Sequence, residues 1–266
     1  MTGYLLVNPG SGDGGADELL AAAAERGIET HVLREGDDPA ELARAADADA
    51  IGIAGGDGSL APVASAAAER GLPFVCVPFG TRNHFARDLG LDRDDPVGAL
   101  DAFTGGLERR VDLGRANARP FLNNVSLGLY ALLVHRRERH RRRRDALARL
   151  RALGVVLGNP DADRFTVDGE PVDARVLLVS NNAYDLSLLS LGERRRLDEG
   201  VLHVYASHRL LRPRWEEQGR ASVVVGAESG RVRAAIDGEP ELLETPVAFS
   251  IEPGALRVLV PRSPGA

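Results

Sequence analysis

Three short glycine-containing stretches have residue types that bind phosphate. They are Asn8-Pro9-Gly10-Ser11-Gly12, Gly55-Gly56-Asp57-Gly58-Ser59 and Gly80-Thr81-Arg82-Asn83. Glycines between a strand and a helix let a ligand approach the backbone, and amide N–H groups at a helix N-terminus attract anions. The carboxylate of Asp57 would repel polyphosphate unless it orients a cation, a water molecule or a basic side chain. The simplest prediction is therefore a site for a nucleotide and its metal ion.

The middle stretch also fits a purely structural role. Asp57 could close a tight turn by capping the helix that follows, because aspartate side chains accept hydrogen bonds from the first amides of a helix. Glycine patterns this short recur by chance, so residues 54–60 alone leave both interpretations open.

A second kind of chemistry is available at Asp-Gly-Glu-Pro, which occurs at residues 168–171 and again at 237–240. Transfer of a group to a hydroxyl needs a proton acceptor nearby, and a carboxylate is suitable. Asp-Gly between two strands is also a strong signal for a hairpin turn. For either copy taken alone, the turn is the favoured interpretation.

The elements that position the glycine stretches alternate between strand and helix. Apolar runs at residues 4–7, 50–54 and 74–77 predict strands, and the stretches at 16–26 and 60–70 predict helices. This alternation predicts an α/β domain of three layers with a mostly parallel sheet. The carboxyl ends of its strands would carry the glycine stretches.

The second half of the chain has a different order of predicted elements, with strands that follow one another. Strand-like runs follow one another at residues 165–167, 174–180, 201–206, 222–225, 231–236, 247–251 and 256–260. This pattern predicts a β-rich antiparallel sandwich. We therefore predict a nucleotide-binding domain at residues 1–115 and a β-rich substrate domain at 116–266, with the last strand able to return to the first domain.

The charge distribution agrees with two domains. Residues 1–113 hold 20 acidic and 9 basic residues, for −11, and residues 114–266 hold 19 acidic and 24 basic residues, for +5. No apolar run is long enough to span a bilayer, and no basic stretch precedes the first apolar run, so we expect a cytoplasmic protein. The single cysteine, Cys76, excludes an internal disulfide.

Nine arginines lie between Arg136 and Arg151. A solvated helix with Leu147, Leu150 and Leu153 on its apolar side is one interpretation. Binding to an anionic membrane surface is the other, because each basic side chain adds about 1 kcal/mol there. Nucleic acid ranks third, since no binding motif or interleaved aromatic residue accompanies the arginines.

The third glycine stretch is part of a longer pattern, Pro78-Phe79-Gly80-Thr81-Arg82-Asn83-His84-Phe85-Ala86. In this order, the three stretches resemble the diacylglycerol kinase catalytic-domain family, which includes sphingosine and ceramide kinases and soluble bacterial relatives. The resemblance continues at residues 121–128, 180–182, 196–200 and 237–239, and so covers essentially the whole chain.

This resemblance implies a first domain akin to those of NAD kinase and phosphofructokinase, with ATP and Mg²⁺ as cofactors. It assigns ATP binding to the three glycine stretches, with Thr81 and Asn83 holding the nucleotide and Asp57 organising the magnesium and phosphate end. It assigns catalysis to Asp237 and Glu239, because the second Asp-Gly-Glu-Pro copy matches the family motif in position.

Three positions depart from the family pattern. Many members have lysine where this chain has Asp13, and some have aspartate where it has His84, which puts the partner of Asp57 in doubt. Asp198-Glu199-Gly200 resembles an Asp-Asp-Gly loop that holds a structural magnesium in some bacterial members. Glu199 still offers oxygen, but Mg²⁺ tolerates little geometric error, and a solvated acidic turn is an equal interpretation.

We therefore predict an ATP-dependent kinase that phosphorylates a hydroxyl of diacylglycerol or a related lipid at an anionic membrane surface. A kinase of a soluble hydroxyl, such as that of NAD, is the first alternative, since NAD kinases also use Gly-Gly-Asp-Gly. A lipid- or nucleotide-binding protein without transfer activity is the second, and Asp13 and His84 favour it. We expect no nucleic-acid partner, and a homodimer is left open.

Overall fold

The computed structural model describes residues 1–11, 14–128, 164–185, 193–207 and 216–262. Its strands are β1 (Gly3–Val7), β2 (Ile28–Val32), β3 (Ala50–Gly55), β4 (Phe74–Pro78), β5 (Leu107–Ala116), β6 (Arg119–Phe121), β7 (Asn124–Gly128), β8 (Phe165–Val167), β9 (Glu170–Val172), β10 (Val176–Asn181), β11 (Leu202–Ser207), β12 (Glu216–Arg220), β13 (Ser222–Ala227), β14 (Arg231–Ile236), β15 (Glu239–Glu244) and β16 (Val247–Val260). Its helices are α1 (Ala16–Glu25), α2 (Pro39–Ala45), α3 (Asp57–Glu69), α4 (His84–Asp88), α5 (Pro96–Ala99) and α6 (Ala102–Gly105). Gly12, Asp13 and the arginine-rich residues 136–151 lie outside the described residues.

The chain divides into two compact units. The first comprises Met1–Leu113, Tyr184–Gly200 and Glu252–Ala266, and the second comprises Gly114–Ala183 and Val201–Ile251. The predicted domains, 1–115 and 116–266, differ from these units in two segments. Residues 114–115 belong to the second unit and residues 184–200 to the first. The end of β16 also belongs to the first unit, and the prediction allowed for this return of the last strand.

A parallel sheet forms the centre of the first unit. Its order is β2, β1, β3, β4 and the last part of β16, and each neighbouring pair runs parallel. β1 and β3 are buried along their whole length, as strands of a parallel sheet covered on both faces are. The predicted α/β fold with a mostly parallel sheet is confirmed.

Helices cover both faces of this sheet. On one face, Leu19 of α1, Ala99 of α5 and Phe103 of α6 share a core with Leu5 of β1. Because side chains alternate along a strand, Leu6 points to the opposite face, where it is also fully buried. α3 packs against β3 and β4, and α2 packs against α3. These contacts give the predicted three layers.

Two antiparallel sheets form the second unit. One has the order β12, β11, β10, β7, β14 and β15, and the other joins β13 to β8, β9 and the first part of β16. Apolar side chains of both sheets share one core, in which the rings of Phe121 and Phe249 meet edge to face with centroids 6.4 Å apart. The predicted antiparallel sandwich is confirmed.

β16 differs from the sequence prediction of two strands at 247–251 and 256–260. Pro253-Gly254 has the composition of a turn, but the chain passes through it as one strand of 14 residues. Gly254 adopts a positive φ of 58°, and its N–H donates to the carboxylate of Asp112 at 2.7 Å. The strand therefore bends without ending. Among the described helices, none has both the length and the apolar character of a bilayer-spanning segment.

Candidate active site

The three glycine stretches lie side by side in the first unit. They follow β1, β3 and β4, which are neighbours in the sheet, so their first residues reach the same edge. The Asn8 N–H donates to the Ala54 carbonyl at 2.9 Å, and the Phe79 N–H donates to the Gly55 carbonyl at 3.2 Å. The structure thus brings together the three stretches that the sequence pattern selected.

The second and third stretches touch through their glycines. A Cβ atom built on Gly80 would overlap the Cα of Gly56 and lie 2.9 Å from Oδ1 of Asn83. A Cβ atom built on Gly56 has the Cα of Gly80 at an ordinary 3.6 Å. The contact therefore requires glycine at position 80 and tolerates alanine at position 56.

We expect Gly80→Ala to destabilise the first unit by about 1–3 kcal/mol, the range for forcing an extra methyl group into a packed site. Gly56→Ala is the matched control, and its free energy of unfolding should stay within about 0.5 kcal/mol of wild type. Urea denaturation of both variants measures the difference. Equal stability of the two variants would contradict the close approach.

Asp57 is the first residue of α3, but its carboxylate binds another helix. Its Oδ2 accepts the His84 N–H and its Oδ1 accepts the Phe85 N–H, both at 3.0 Å, at the start of α4. The residue is 9% exposed. Asp57 therefore links the second glycine stretch to the third, and the interpretation that it caps the helix directly after it is wrong.

The first turn of α3 keeps its N-terminal character. Gly56 is the N-cap residue, and among the described residues no side chain caps this 13-residue helix. Unpaired amide groups and the helix dipole at such an end attract anions. The Ser59 hydroxyl does not serve there, since it donates to the Gly56 carbonyl at 2.9 Å.

Asn83 and Asn8 close their own loops. Asn83 has a left-handed φ of 49°, its Oδ1 accepts the Gly80 N–H at 2.9 Å, and its Nδ2 donates to the Gly80 carbonyl at 2.8 Å. In the first stretch, Oδ1 of Asn8 accepts the Gly10 N–H at 3.1 Å. Thr81, in contrast, is exposed at the surface of its loop. The two asparagines shape the loops, and the assignment of nucleotide binding to Thr81 and Asn83 stays a prediction.

His84 is half-buried at the start of α4. Burial lowers the pKa of its imidazole; Asp57 and Asp88 oppose this effect, and Arg87 and Arg82 reinforce it. The folded protein therefore favours neutral His84.

A lowered histidine pKa makes stability depend on pH in one direction. Just below pH 6.5, the ordinary histidine pKa, His84 is protonated in the unfolded chain but stays neutral in the folded protein. The stabilising contribution is present above pH 6.5, and it is lost as the pH falls through the folded pKa. We expect the free energy of unfolding to fall less steeply below pH 6.5 in His84→Gln than in wild type. Urea denaturation between pH 5 and pH 7.5 measures both slopes, and parallel slopes would contradict the assignment.

Asp237 lies in the second unit, in the turn between β14 and β15. Its carboxylate accepts three consecutive backbone N–H groups, those of Leu122 at 2.7 Å, Asn123 at 2.8 Å and Asn124 at 3.0 Å. It is 8% exposed and has a φ of 47°. Glu239 begins β15 and is exposed. The turn thus carries one tightly held carboxylate and one at the surface.

Asp168 has the same local geometry in a different environment. Its φ is 51° and that of Gly169 is 87°, against 47° and 89° for Asp237 and Gly238. Its carboxylate accepts the Val224 N–H at 2.9 Å, pairs with Arg220 at 3.0 Å, and is 38% exposed. Identical tetrapeptides therefore make the same turn, and burial together with the three amides of residues 122–124 distinguishes Asp237 from Asp168.

The acidic loop at Asp198-Glu199-Gly200 belongs to the first unit. Asp198 pairs with Arg196 at 3.0 Å, and the Gly200 N–H donates to buried Asp112 at 2.7 Å. Across the described parts of the chain, no group of three or more His, Cys, Asp or Glu side chains is arranged to hold a metal ion. The assignment of a structural magnesium to Asp198 and Glu199 stays a prediction.

Sequence reasoning did not select Asp112. It is buried in β5 and its carboxylate binds the amides of Gly200 and Gly254, so it organises the acidic loop and the bend of β16 together. The available signal was an acidic residue between two apolar ones, Val111 and Leu113. Such a residue is costly to bury unless it has partners.

The sequence and the fold of this chain are similar to those of known diacylglycerol kinases. The model of the diacylglycerol kinase catalytic domain matches residues 2–116. A diacylglycerol kinase of Mycobacterium tuberculosis (strain CDC 1551 / Oshkosh) is 30% identical over 216 residues, which cover 74% of this chain and 66% of that protein. The chain belongs to the diacylglycerol kinase catalytic-domain family. A diacylglycerol kinase of Bacillus subtilis (strain 168) is 35% identical over 89 residues, 33% of this chain and 29% of that protein.

The fold of the family extends over the whole chain. A crystal structure of a diacylglycerol kinase from Bacillus anthracis (strain Sterne) superposes with a TM-score of 0.68 at 20% identity, covering 99% of this chain and 97% of that one. The family match of residues 2–116 contains all three glycine stretches, and Asp237 lies beyond it. The chain spans 66% of the length of the Mycobacterium tuberculosis relative and 29% of that of the Bacillus subtilis relative.

Proposed function

We propose that the protein is an ATP- and Mg²⁺-dependent lipid kinase, which transfers the γ-phosphate to a hydroxyl of diacylglycerol or a related lipid. The observation that carries the proposal is the meeting of three glycine stretches at one sheet edge, where α3 begins without a capping side chain. A nucleotide triphosphate is the ligand that best matches backbone amides and close glycine contacts.

The residues of the first unit fit a bound nucleotide. Among the described residues, the Cα of Gly80 is the neighbour of a Cβ atom built on Gly56, at 3.6 Å, and the start of α3 would supply N–H donors for phosphate oxygens. Mg²⁺ is bound in such sites through one or two carboxylates plus phosphate oxygens and water, and among the described residues of this edge Asp57 would offer a carboxylate to it. When bound, Mg²⁺ neutralises charge on the phosphates.

In the second unit, Asp237 would orient the acceptor hydroxyl and take its proton while the hydroxyl oxygen forms the new bond to phosphorus. The bond between the γ-phosphorus and the bridging oxygen breaks, and ADP leaves. Three amide donors fix the carboxylate, and fixed orientation is what phosphate transfer chiefly needs. Glu239 adds a second carboxylate two residues away.

The test is transfer of label from [γ-³²P]ATP to a substrate panel of diacylglycerol, monoacylglycerol, sphingosine, ceramide and NAD. The lipids are presented in mixed vesicles. We expect label in a lipid product. Label in NAD alone would establish a kinase of a soluble hydroxyl, and ATP binding without transfer to any acceptor would establish a binding protein; either result overturns the proposal.

We also propose that Arg136 to Arg151 bind an anionic membrane surface, which would bring the kinase to its lipid. The support is charge alone, nine arginines in 16 residues. Sedimentation with phosphatidylglycerol vesicles should weaken as salt is raised. Neutralising Arg141 to Arg144 with glutamine should reduce it, and unchanged sedimentation would refute this role.

A further inference from the structure

A buried polar network lies next to the Asp237 turn in the second unit. Its members are Asn123, Ser180, Asn181, Asn182 and Asp237, each 8% exposed or less. Burying polar side chains costs free energy unless hydrogen bonds compensate, and a fully bonded network fixes its members in one arrangement. The network is therefore able to hold backbone groups in place.

Asn181 contacts the peptide segment that binds Asp237. Its Nδ2 donates to the Leu122 carbonyl at 3.1 Å, and its backbone N–H donates to the Asn123 carbonyl at 3.0 Å. The N–H groups of Leu122 and Asn123 donate in turn to the Asp237 carboxylate. Asn181 thus bonds the carbonyl groups of Leu122 and Asn123, and the N–H groups of the same two residues bond the Asp237 carboxylate.

The side chain of Asn181 is itself fixed by its neighbours. Asn182 adopts a left-handed φ of 69°, and its Nδ2 donates to Oδ1 of Asn181 at 3.3 Å. The Ser180 hydroxyl donates to the Asn182 carbonyl at 2.6 Å. These bonds at the end of β10 orient the Asn181 amide toward residue 122.

We propose that Asn181 is a positioning residue that fixes the Asp237 carboxylate through the backbone of Leu122 and Asn123. The proposal rests on the proposed function for its effect on phosphate transfer. Removing the side chain releases one carbonyl of the segment, and the three amides then lose their common alignment. Misplacing a catalytic group by about 1 Å costs on the order of 100-fold in rate.

The first test is a double-mutant cycle with Asn181→Ala and Asp237→Asn. We expect Asn181→Ala alone to lower kcat for lipid phosphorylation about 10- to 100-fold, with KM for ATP unchanged. In the Asp237→Asn background the same change should have little further effect, because both act on one carboxylate. Full additivity of the two losses would overturn the proposal.

Two further variants separate the hydrogen bond from general damage. Asn181→Asp keeps the size of the side chain and removes the donor, so it should lose as much activity as Asn181→Ala. Asn117→Ala is the control, since Asn117 is another asparagine of the second unit whose side chain bonds a backbone group, accepting the N–H of Ala248 at 2.9 Å. It should keep wild-type kcat. Full activity of Asn181→Asp would overturn the role of its donor.

Amide hydrogen exchange tests the proposal independently of activity. In Asn181→Ala the amides of residues 122–124 should exchange faster, while those of the glycine stretches should not change. If the wild-type protein transfers no phosphate, the proposed function fails and this measurement still decides the structural link. Unchanged exchange at residues 122–124 would overturn the link.

Discussion

Replacing Asp237 by asparagine should lower the rate of lipid phosphorylation by about 100- to 10,000-fold, the range for losing a general acid or base. The same change at Asp168 should leave the rate near wild type. Both residues occupy the first position of the same turn with φ near 50°, a conformation that asparagine also adopts. The pair therefore compares two environments with the backbone held constant.

Stability should separate the two variants as well. Asp237→Asn would turn an NH₂ group toward the N–H donors of residues 122–124, and a buried donor left without an acceptor costs about 1–3 kcal/mol. Asp168 is 38% exposed and its pair with Arg220 is screened by solvent, so its loss should cost less than about 1 kcal/mol. Initial rates and urea denaturation measure both effects. Similar losses for the two variants would refute a special role for Asp237.

Arg194→Met should lower the free energy of unfolding by about 3 kcal/mol, the lower end of the range for breaking a buried ion pair. The Arg194 side chain is 0% exposed and its Nε donates to Oδ2 of Asp88 at 2.7 Å. Asp88, 2% exposed, would keep its pair with Arg87 at 2.7 Å. The loss should thus fall short of that for a fully isolated charge.

The neighbouring residue provides the control. Arg195 is 88% exposed and pairs with Asp185 at 3.3 Å, so Arg195→Met should change stability by less than about 1 kcal/mol. The double variant Asp88→Leu, Arg194→Met should be more stable than Arg194→Met alone, because it removes the buried carboxylate together with its Arg194 partner. Denaturant unfolding measures all three. An Arg194→Met protein as stable as Arg195→Met would contradict the buried pair.

The sequence predicts the elements whose signal is local. Buried apolar runs mark β1, β3 and β4, and Asp38 followed by Pro39 marks the start of α2, where the Asp38 carboxylate accepts the N–H groups of Ala40 and Glu41. β12 and β15 escape prediction because they are polar and largely exposed, and their pairing partners alone define them.

In the candidate site, too, the sequence predicts the residues with a local signal and misses the contacts between distant segments. The glycine stretches are visible because close backbone approach demands glycine, as at Gly80. The partners of Asp57, Asp112 and Asp237 are backbone amides far away in sequence, and an amide carries no residue-specific signal. No pattern could therefore assign these carboxylates their contacts. Asn181 lies in the resemblance at residues 180–182, but its partner is the backbone carbonyl of Leu122, which carries no residue-specific signal either.

The return of β16 to the first unit has a consequence for synthesis on the ribosome. Val258 pairs with Phe74 of β4 and is fully buried, and Arg194 joins Asp88 from another distant segment. A nascent chain that has emerged only to residue 116 contains all the glycine stretches. It lacks the end of β16, which pairs with β4, and Arg194, which pairs with buried Asp88. We therefore expect the first unit to complete its folding only after nearly the entire chain has been made.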